Sequence, residues 1–334
     1  MIDIGVVGYG YWGPNIVRNF NINERSQVTF VCDSNEKSLH RVKRVYSNIN
    51  TTTQYEDMIS SSYVDAIAVI TPVFTHYDFA KKALQAGKHV FVEKPFTATS
   101  SQGEELINIA EKKNLTIMVD HTFLFTGAVK KIKELVDNNI LGEILYYDST
   151  RVNLGLFQHD INVTWDLAPH DLSIMDYIIK EEPTALVATG ASHFNNLEDI
   201  AYVTIYFSNS IIVHINVNWL SPVKVRQTLI GGQKKMLVWN DLEIDEKIKV
   251  YDKGVDISTS EGFYKIRVNY RSGDMWSPQI SVVEALQTET EYFLDCVINN
   301  NKKPINDGHA GLRVVRFLEA ADKSLKKKGE IVYL

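Results

Sequence analysis

Ile2-Asp3-Ile4-Gly5-Val6-Val7-Gly8-Tyr9-Gly10-Tyr11-Trp12-Gly13 is the stretch that decides the fold. A short apolar strand runs into glycines spaced Gly8-x-Gly10-x-x-Gly13, and Asn15 to Phe20 continue with helical spacing. The first glycine permits a tight turn, the second lets backbone amides approach a pyrophosphate, and the third lets the helix pack on the strand. The helix N-terminus adds partial positive charge. Gly8, Gly10, Tyr11, Trp12 and Gly13 are therefore the expected cofactor loop. Val28 to Cys32 form a second strand that ends in Asp33, about twenty residues on, where a carboxylate accepts hydrogen bonds from an adenosine ribose. Asp33 and Ser34 join the cofactor set. Because Asp33 would repel a 2′-phosphate, NAD is favoured over NADP; the bland alternative is an aspartate that only caps the next helix.

Working outward, Ala66 to Ile70 read as a buried strand ending at Thr71-Pro72, and Val73 to Ala86 as a helix with His76 in its first turn. His76 either lines the cofactor cleft or caps and packs. Gly87 stops that helix and His89 to Val92 run extended, leaving Glu93-Lys94-Pro95 just past a strand. In an open parallel sheet ligands collect beyond the carboxyl ends of the strands, so an acid and an amine there face a bound molecule. Pro95 removes a donor and biases Lys94 away from helical geometry. Read in isolation, the same residues are a surface ion pair before a turn proline. A helix at 100–113 and a strand at 116–119 complete an alternation that predicts a doubly wound parallel sheet. Residues 1–121 form the expected dinucleotide-binding domain, with Thr71, Pro72, His76, Glu93, Lys94 and His121 completing the cofactor contacts.

Composition sets the outer limits. The 334 residues are 45% apolar and 23% charged, with a net charge of -6. Two domains sharing a cleft fit that length, and the negative balance argues against nucleic acid or an anionic membrane as partner. No run of about 18 apolar residues exists, and the N-terminus enters a strand at once instead of showing a signal peptide. Cys32 and Cys296 read as reduced, buried residues of a cytoplasmic protein.

The second domain, 122–334, changes pattern. A helix near 128–138 leads to a strand-like run at 143–154, and alternating runs follow at 200–207, 211–219 and 223–230. These predict antiparallel strands with one face buried. The other face, with Tyr202, Tyr206 and Trp219, fits an oligomer interface and core packing equally well. Two late helices, 282–299 and 310–327, end the chain. Arg151 and Asn153, at a strand end, are either substrate contacts or surface residues. Trp165-Asp166-Leu167-Ala168-Pro169-His170-Asp171 opens a helix. Asp166 and His170, four apart, share a face, where a carboxylate can orient an imidazole as general base. The same residues also read as an N-cap, a first-turn proline and a satisfied histidine. Zinc would need His159, Asp166 and His170 together; no Cys-rich or His-Glu-x-x-His spacing supports it, and no metal is expected.

With the glycine loop, Asp33, Thr71-Pro72 with His76, Ala86-Gly87-Lys88-His89-Val90-x-x-Glu93-Lys94-Pro95 and the Asp166/His170 pair in order, the chain resembles the Gfo/Idh/MocA oxidoreductase family over essentially its whole length. Asp307-Gly308-x-x-Gly311-Leu312 and Leu318-Glu319-Ala320-Ala321 support this. The resemblance implies an N-terminal Rossmann dinucleotide-binding domain and a C-terminal α+β domain with a large, mainly antiparallel open sheet. It implies oligomers, dimeric or tetrameric, and NAD-dependent chemistry at sugar or cyclitol carbons. It gives Lys94 a place near the reacting oxygen, with a cis bond to Pro95, and makes Asp166 and His170 the catalytic pair. One departure stands out: many relatives carry Arg-Phe after the strand ending at Val119, where this chain has His121-Thr122-Phe123-Leu124-Phe125. Among subgroups it looks most like dehydrogenases that oxidise C3 of a UDP-N-acetylated hexosamine or its uronic acid. A ketoreductase of a deoxysugar nucleotide, an inositol dehydrogenase, a non-catalytic NAD sensor and a Schiff-base lyase through Lys94 are the competing readings.

Overall fold

The first strand, β1 (Ile2–Val7), has its last four side chains buried, the mark of a strand covered on both faces. From it the chain alternates through α1 (Gly13–Ile22), β2 (Ser26–Cys32), α2 (Glu36–Val45), β3 (Asn50–Thr52), α3 (Tyr55–Ile59), β4 (Ala66–Val69), α4 (Val73–Gln85), β5 (His89–Glu93), α5 (Ser100–Lys113) and β6 (Ile117–Asp120). These strands form one parallel six-stranded sheet ordered β3-β2-β1-β4-β5-β6. The order reverses between β1 and β4, and a ligand crevice opens outside the carboxyl ends of the strands at such a switch point.

This computed structural model describes residues 1–155, 157–259, 266–299 and 303–334. By packing, the chain separates into two units, Met1–Phe125 with Val283–Arg316, and Thr126–Val282 with Phe317–Leu334. Packing thus adds to the expected 1–121 and 122–334 division a return of the chain to the first unit.

The second unit begins with α6 (Gly127–Asp137), β7 (Ile144–Leu154) and α7 (Val163–Ile178). It continues through β8 (Pro183–Ala191), β9 (Ile200–Phe207), β10 (Ile212–Asn218), β11 (Leu220–Gly232), β12 (Met236–Asn240), β13 (Ile248–Thr259) and β14 (Ile266–Trp276). Two helices, α8 (Ala285–Ile298) and α9 (Gly308–Lys326), and β15 (Val332–Tyr333) end the chain. The return to the first unit is held by rings: Phe293 of α8 meets Phe20 and Phe91 edge-on at 6.0 and 5.6 Å, all three fully buried. Each buries an aromatic side chain and gains the preferred edge-to-face geometry.

The second sheet has nine strands ordered β14-β13-β12-β11-β7-β10-β9-β8-β15. Every pairing is antiparallel except β7 with β10. Alternation sends Val203 and Ile205 of β9 and Val213, Ile215 and Val217 of β10 inward. Tyr202 and Tyr206 remain exposed, with the Tyr202 ring stacked 6.1 Å from His214. Trp219 departs from the expected pattern. It lies one residue past β10, in phase with the inward Val213, Ile215 and Val217, and is 1% exposed. It therefore belongs to the core and not to the tyrosine face. Cys32 and Cys296 are both buried free thiols. Among the described residues no helix is long and apolar enough to cross a membrane.

Candidate active site

In the first unit the glycine loop connects β1 to α1. Gly8 has φ +97°, and a Cβ there would lie 2.3 Å from the carbonyl oxygen of Ile70. A Cβ on Gly13 would lie 2.4 Å from the Gly8 carbonyl oxygen, whereas one on Gly10 would meet nothing within 4 Å. Two glycines thus serve close packing, and the third faces open space that a dinucleotide backbone can occupy. Trp12 stands at the N-cap of α1 without a side-chain cap bond, and the first turn carries no acid, leaving the helix's positive end for an anion. Asp33 accepts from the Tyr9 amide through Oδ2 at 2.7 Å and from the Asn35 amide through Oδ1 at 2.7 Å, which binds the end of β2 to the glycine loop. These residues fit a dinucleotide. Ser34 and Tyr11 are exposed beside them, Tyr11 almost wholly.

At the ends of β4 and β5, His76 is fully buried. Its Nδ1 lies 2.9 Å from the Pro95 carbonyl oxygen and its Nε2 2.6 Å from that of Thr71. Burial pushes the imidazole pKa down against the pull of those carbonyls. His76 thus joins Thr71-Pro72 to the Lys94-Pro95 corner, whose peptide bond is cis. His76→Ala would remove the ring N–H that one of these carbonyls accepts and open a cavity, lowering stability by about 2–4 kcal/mol, visible as a lower denaturant midpoint. An unchanged midpoint would mean that the imidazole carries no strain-bearing contact.

Glu93 ends β5 and Lys94 follows it, both half-buried, and the Lys94 charge is felt at His76, Glu93 and His121. His121 is 1% exposed with no hydrogen-bond partner on either ring nitrogen; burial pushes its pKa to about 4, so it is neutral at physiological pH.

In the second unit α7 begins earlier than expected. Asn162, not Asp166, caps it, accepting from the Trp165 amide at 3.2 Å. Pro169 is consequently inside the helix, where it cannot donate to the carbonyl one turn back. Asp166 and His170 lie on successive turns, both half-buried. The Trp219 indole donates to Asp166 Oδ2 at 3.1 Å, a fixed donor that orients the carboxylate. His159 is exposed, and among the described residues no three His, Cys, Asp or Glu side chains are grouped to hold a metal ion.

Arg151 of β7 is 4% exposed and makes two bonds to Asp171 of α7, Nε to Oδ2 at 2.6 Å and Nη2 to Oδ1 at 3.2 Å. Ser149 adds a third to Oδ1 at 2.7 Å. A buried guanidinium is tolerable only with such pairing, so Arg151 can offer a ligand only what Asp171 leaves over. Asn153 is half-buried two residues further along β7.

Two models of one family match this chain. Residues 2–121 match the oxidoreductase family with NAD-binding Rossmann fold, and 129–238 the GFO/IDH/MocA C-terminal domain. The chain belongs to the Gfo/Idh/MocA oxidoreductase family. An uncharacterized oxidoreductase of Streptococcus pneumoniae is 26% identical over 63% of this chain and 60% of its own length. The UDP-N-acetylglucosamine 3-dehydrogenase of Acidithiobacillus ferrooxidans is 24% identical over 93% of each chain. Its solved structure superposes with a TM-score of 0.82 over 98% of each chain at 23% identity, a likeness of fold. The scyllo-inositol 2-dehydrogenase (NADP(+)) of Bacillus subtilis is 22% identical over 99% of this chain and 96% of its own.

Within this Gfo/Idh/MocA chain the sequence reading passed over several residues that hold the site. Asp171 and Trp219 are buried partners far apart in sequence from what they hold, and Asp120 and Glu289 pack together across about 170 residues. Only a buried-strand pattern ending in an acid at Asp120 offered a signal.

Proposed function

We propose that the chain is an NAD-dependent dehydrogenase of a secondary hydroxyl, C3 of a nucleotide-linked sugar such as UDP-N-acetylglucosamine or its uronic acid. The observation that carries the reading is the Trp219-oriented Asp166 carboxylate one helical turn before His170, the arrangement a general base needs. Similarity to the Acidithiobacillus ferrooxidans 3-dehydrogenase along both chains supports the choice of sugar. The nicotinamide ring, when bound, accepts a hydride at C4. His170 takes the hydroxyl proton, Asp166 stabilises the imidazolium that results, and the Lys94 ammonium stabilises the oxygen as negative charge develops on it. We further propose that the protein works as a homodimer or homotetramer.

The test is the near-ultraviolet absorbance of NADH with purified protein, NAD and a panel of UDP-N-acetylglucosamine, its uronic acid, a dTDP-sugar and myo-inositol. Signal with either UDP-sugar supports the reading. Signal confined to myo-inositol moves the substrate to the cyclitols, which the scyllo-inositol relative makes the second reading.

The preference for NAD rests on Asp33, whose half-exposed carboxylate disfavours a phosphate on the neighbouring ribose. Asp33→Ala should weaken NADH about tenfold, the scale of losing charge-assisted hydrogen bonds, and strengthen NADPH. Direct titration of both nucleotides by fluorescence checks this; equal losses for both would place selectivity elsewhere.

A further inference from the structure

Three carboxyl groups meet in the first unit: Glu93 at the end of β5, Asp120 at the end of β6 and Glu289 on α8. Asp120 is 1% and Glu289 0% exposed. Glu289 Oε1 accepts from Asn306 Nδ2 at 3.0 Å, and the same amide donates to the Val119 carbonyl at 2.6 Å. Glu289 Oε2 and Glu93 Oε2 are buried without a hydrogen-bond partner, although the Thr122 hydroxyl reaches the Glu289 carboxyl and the Lys94 backbone amide reaches that of Glu93. What both carboxyls have within hydrogen-bonding reach is Asp120, another acceptor. Three adjacent carboxylates cannot satisfy one another, since an ionised carboxyl group only accepts. Protons on Glu93 and Glu289 resolve both orphans at once.

Asp120 is suited to be their common acceptor. Its Oδ2 already takes the Trp12 indole N–H at 2.8 Å and its Oδ1 takes the Thr122 hydroxyl. A carboxylate offers about four lone-pair sites, and two carboxylic acids fill the remaining pair. Trp12 is the N-cap residue of α1 and part of the glycine loop, so the network ends on the loop expected to hold the dinucleotide.

We propose that Glu93, Asp120 and Glu289 form a proton-sharing network in which Glu93 and Glu289 donate to Asp120, and that the hydrogen bond Asp120 accepts from the Trp12 indole positions the glycine loop for the dinucleotide. This rests on the dinucleotide reading of that loop. Glu93 thereby acts on the cofactor through Asp120 and Trp12. All three are positioning residues and not catalytic ones.

The pH dependence has a definite sign. Burial and the neighbouring Asp120 charge push the pKa values of Glu93 and Glu289 well up. The protonated forms belong to the folded, loop-ordered state, so both stability and nucleotide grip fall as pH rises toward those folded pKa values. Lys94 faces Glu93 and opposes its upward shift. His121, pushed down to about 4, is neutral in folded and unfolded chains well above pH 6.5 and adds no slope there.

The experiment joins infrared spectroscopy of the protein without nucleotide to NADH affinity measured by fluorescence across pH. At neutral pH the wild-type protein should show the carbonyl stretch of two buried carboxylic acids, Glu289→Gln and Glu93→Gln each removing one. Asp120→Asn and Trp12→Phe should each weaken NADH about tenfold, and the double variant should be no weaker than either alone, because both break one hydrogen bond. Glu289→Ala should also weaken NADH, whereas Glu289→Gln, whose amide donates permanently to Asp120, should restore the affinity and flatten its decline at high pH. Absence of the carboxylic acid bands, or additive losses in the Asp120 and Trp12 pair, would overturn the proposal while leaving the dinucleotide reading intact. Failure of wild-type protein to bind NADH at all, with the bands present, would sink that reading and the positioning role, leaving only the shared protons.

Discussion

Lys94→Ala should lower kcat by ~10²–10³-fold, the scale of removing one preorganised donor to a developing oxyanion, while the affinity for NADH changes less than about threefold. The argument starts from backbone geometry. β5 ends at Glu93, and Lys94 follows at the carboxyl edge of the parallel sheet, where the crevice at the switch point lies. His76, through the carbonyls of Thr71 and Pro95, fixes the corner on which Lys94 sits. An ammonium held this way needs little reorganisation as charge appears on the substrate oxygen, which is what makes such a donor worth several kcal/mol in the transition state. Stopped-flow or steady-state turnover with the responsive sugar of the panel, beside NADH titration, separates the two quantities. Loss of kcat with cofactor affinity kept is the expected split; unchanged turnover would remove Lys94 from the mechanism. Lys94→Arg should not rescue, since a planar guanidinium presents its charge at a different depth and cannot substitute for a compact ammonium.

His170 and Asp166 raise a different question, because a helix carries them. Four residues apart on α7, they point in nearly the same direction, and the interior Pro169 between them removes one backbone hydrogen bond from the ladder. Trp219, fully buried, supplies Asp166 with a donor from outside the helix. A carboxylate so held is worth more to an imidazolium than a surface one, because its orientation costs no further side-chain entropy.

The parallel sheet was legible because each of its strands is locally marked: apolar runs of four to six residues, glycine or proline at the turns, and helices of regular period between them. Asp33, Thr71, Lys94 and His170 could be singled out for the same reason, each standing at a fixed offset from such a mark. What stayed hidden depends on contacts remote in sequence. The burial of Arg151 follows from Asp171 across the packing of β7 and α7. Trp219 keeps the inward phase of Val213, Ile215 and Val217, but the partner that gives it a role, Asp166 of α7, is remote in sequence. The start of α7 was set two residues late because Asn162 precedes a Val-Thr-Trp run of weak helix formers, and tertiary packing overrides that weakness. β13 and β14 carry charges and glycines at spacings that no period-two template selects.

Gly8→Ala should abolish tight nucleotide binding and cost more than about 3 kcal/mol of stability, the range of a forced positive φ combined with a backbone clash. The new Cβ would stand 2.3 Å from the Ile70 carbonyl oxygen and 2.7 Å from its carbon, and neither side can give way. The Gly8 amide donates to the Cys32 carbonyl at 2.9 Å and the Ile70 amide to the Val7 carbonyl at 2.8 Å, so the clash lies between two segments that the sheet already pins. Gly10→Ala makes the matching contrast. Its Cβ meets no atom within 4 Å and its φ lies outside the left-handed region, so folding should be unaffected, with a denaturant midpoint equal to wild type. NADH affinity should nevertheless fall by ~10²-fold, because the methyl group takes the space in which a pyrophosphate approaches the backbone. Measured side by side, the two variants separate what the glycine loop does for the sheet from what it does for the ligand. If Gly10→Ala bound NADH as tightly as the wild type, the open space over Gly10 would not be where the dinucleotide lies.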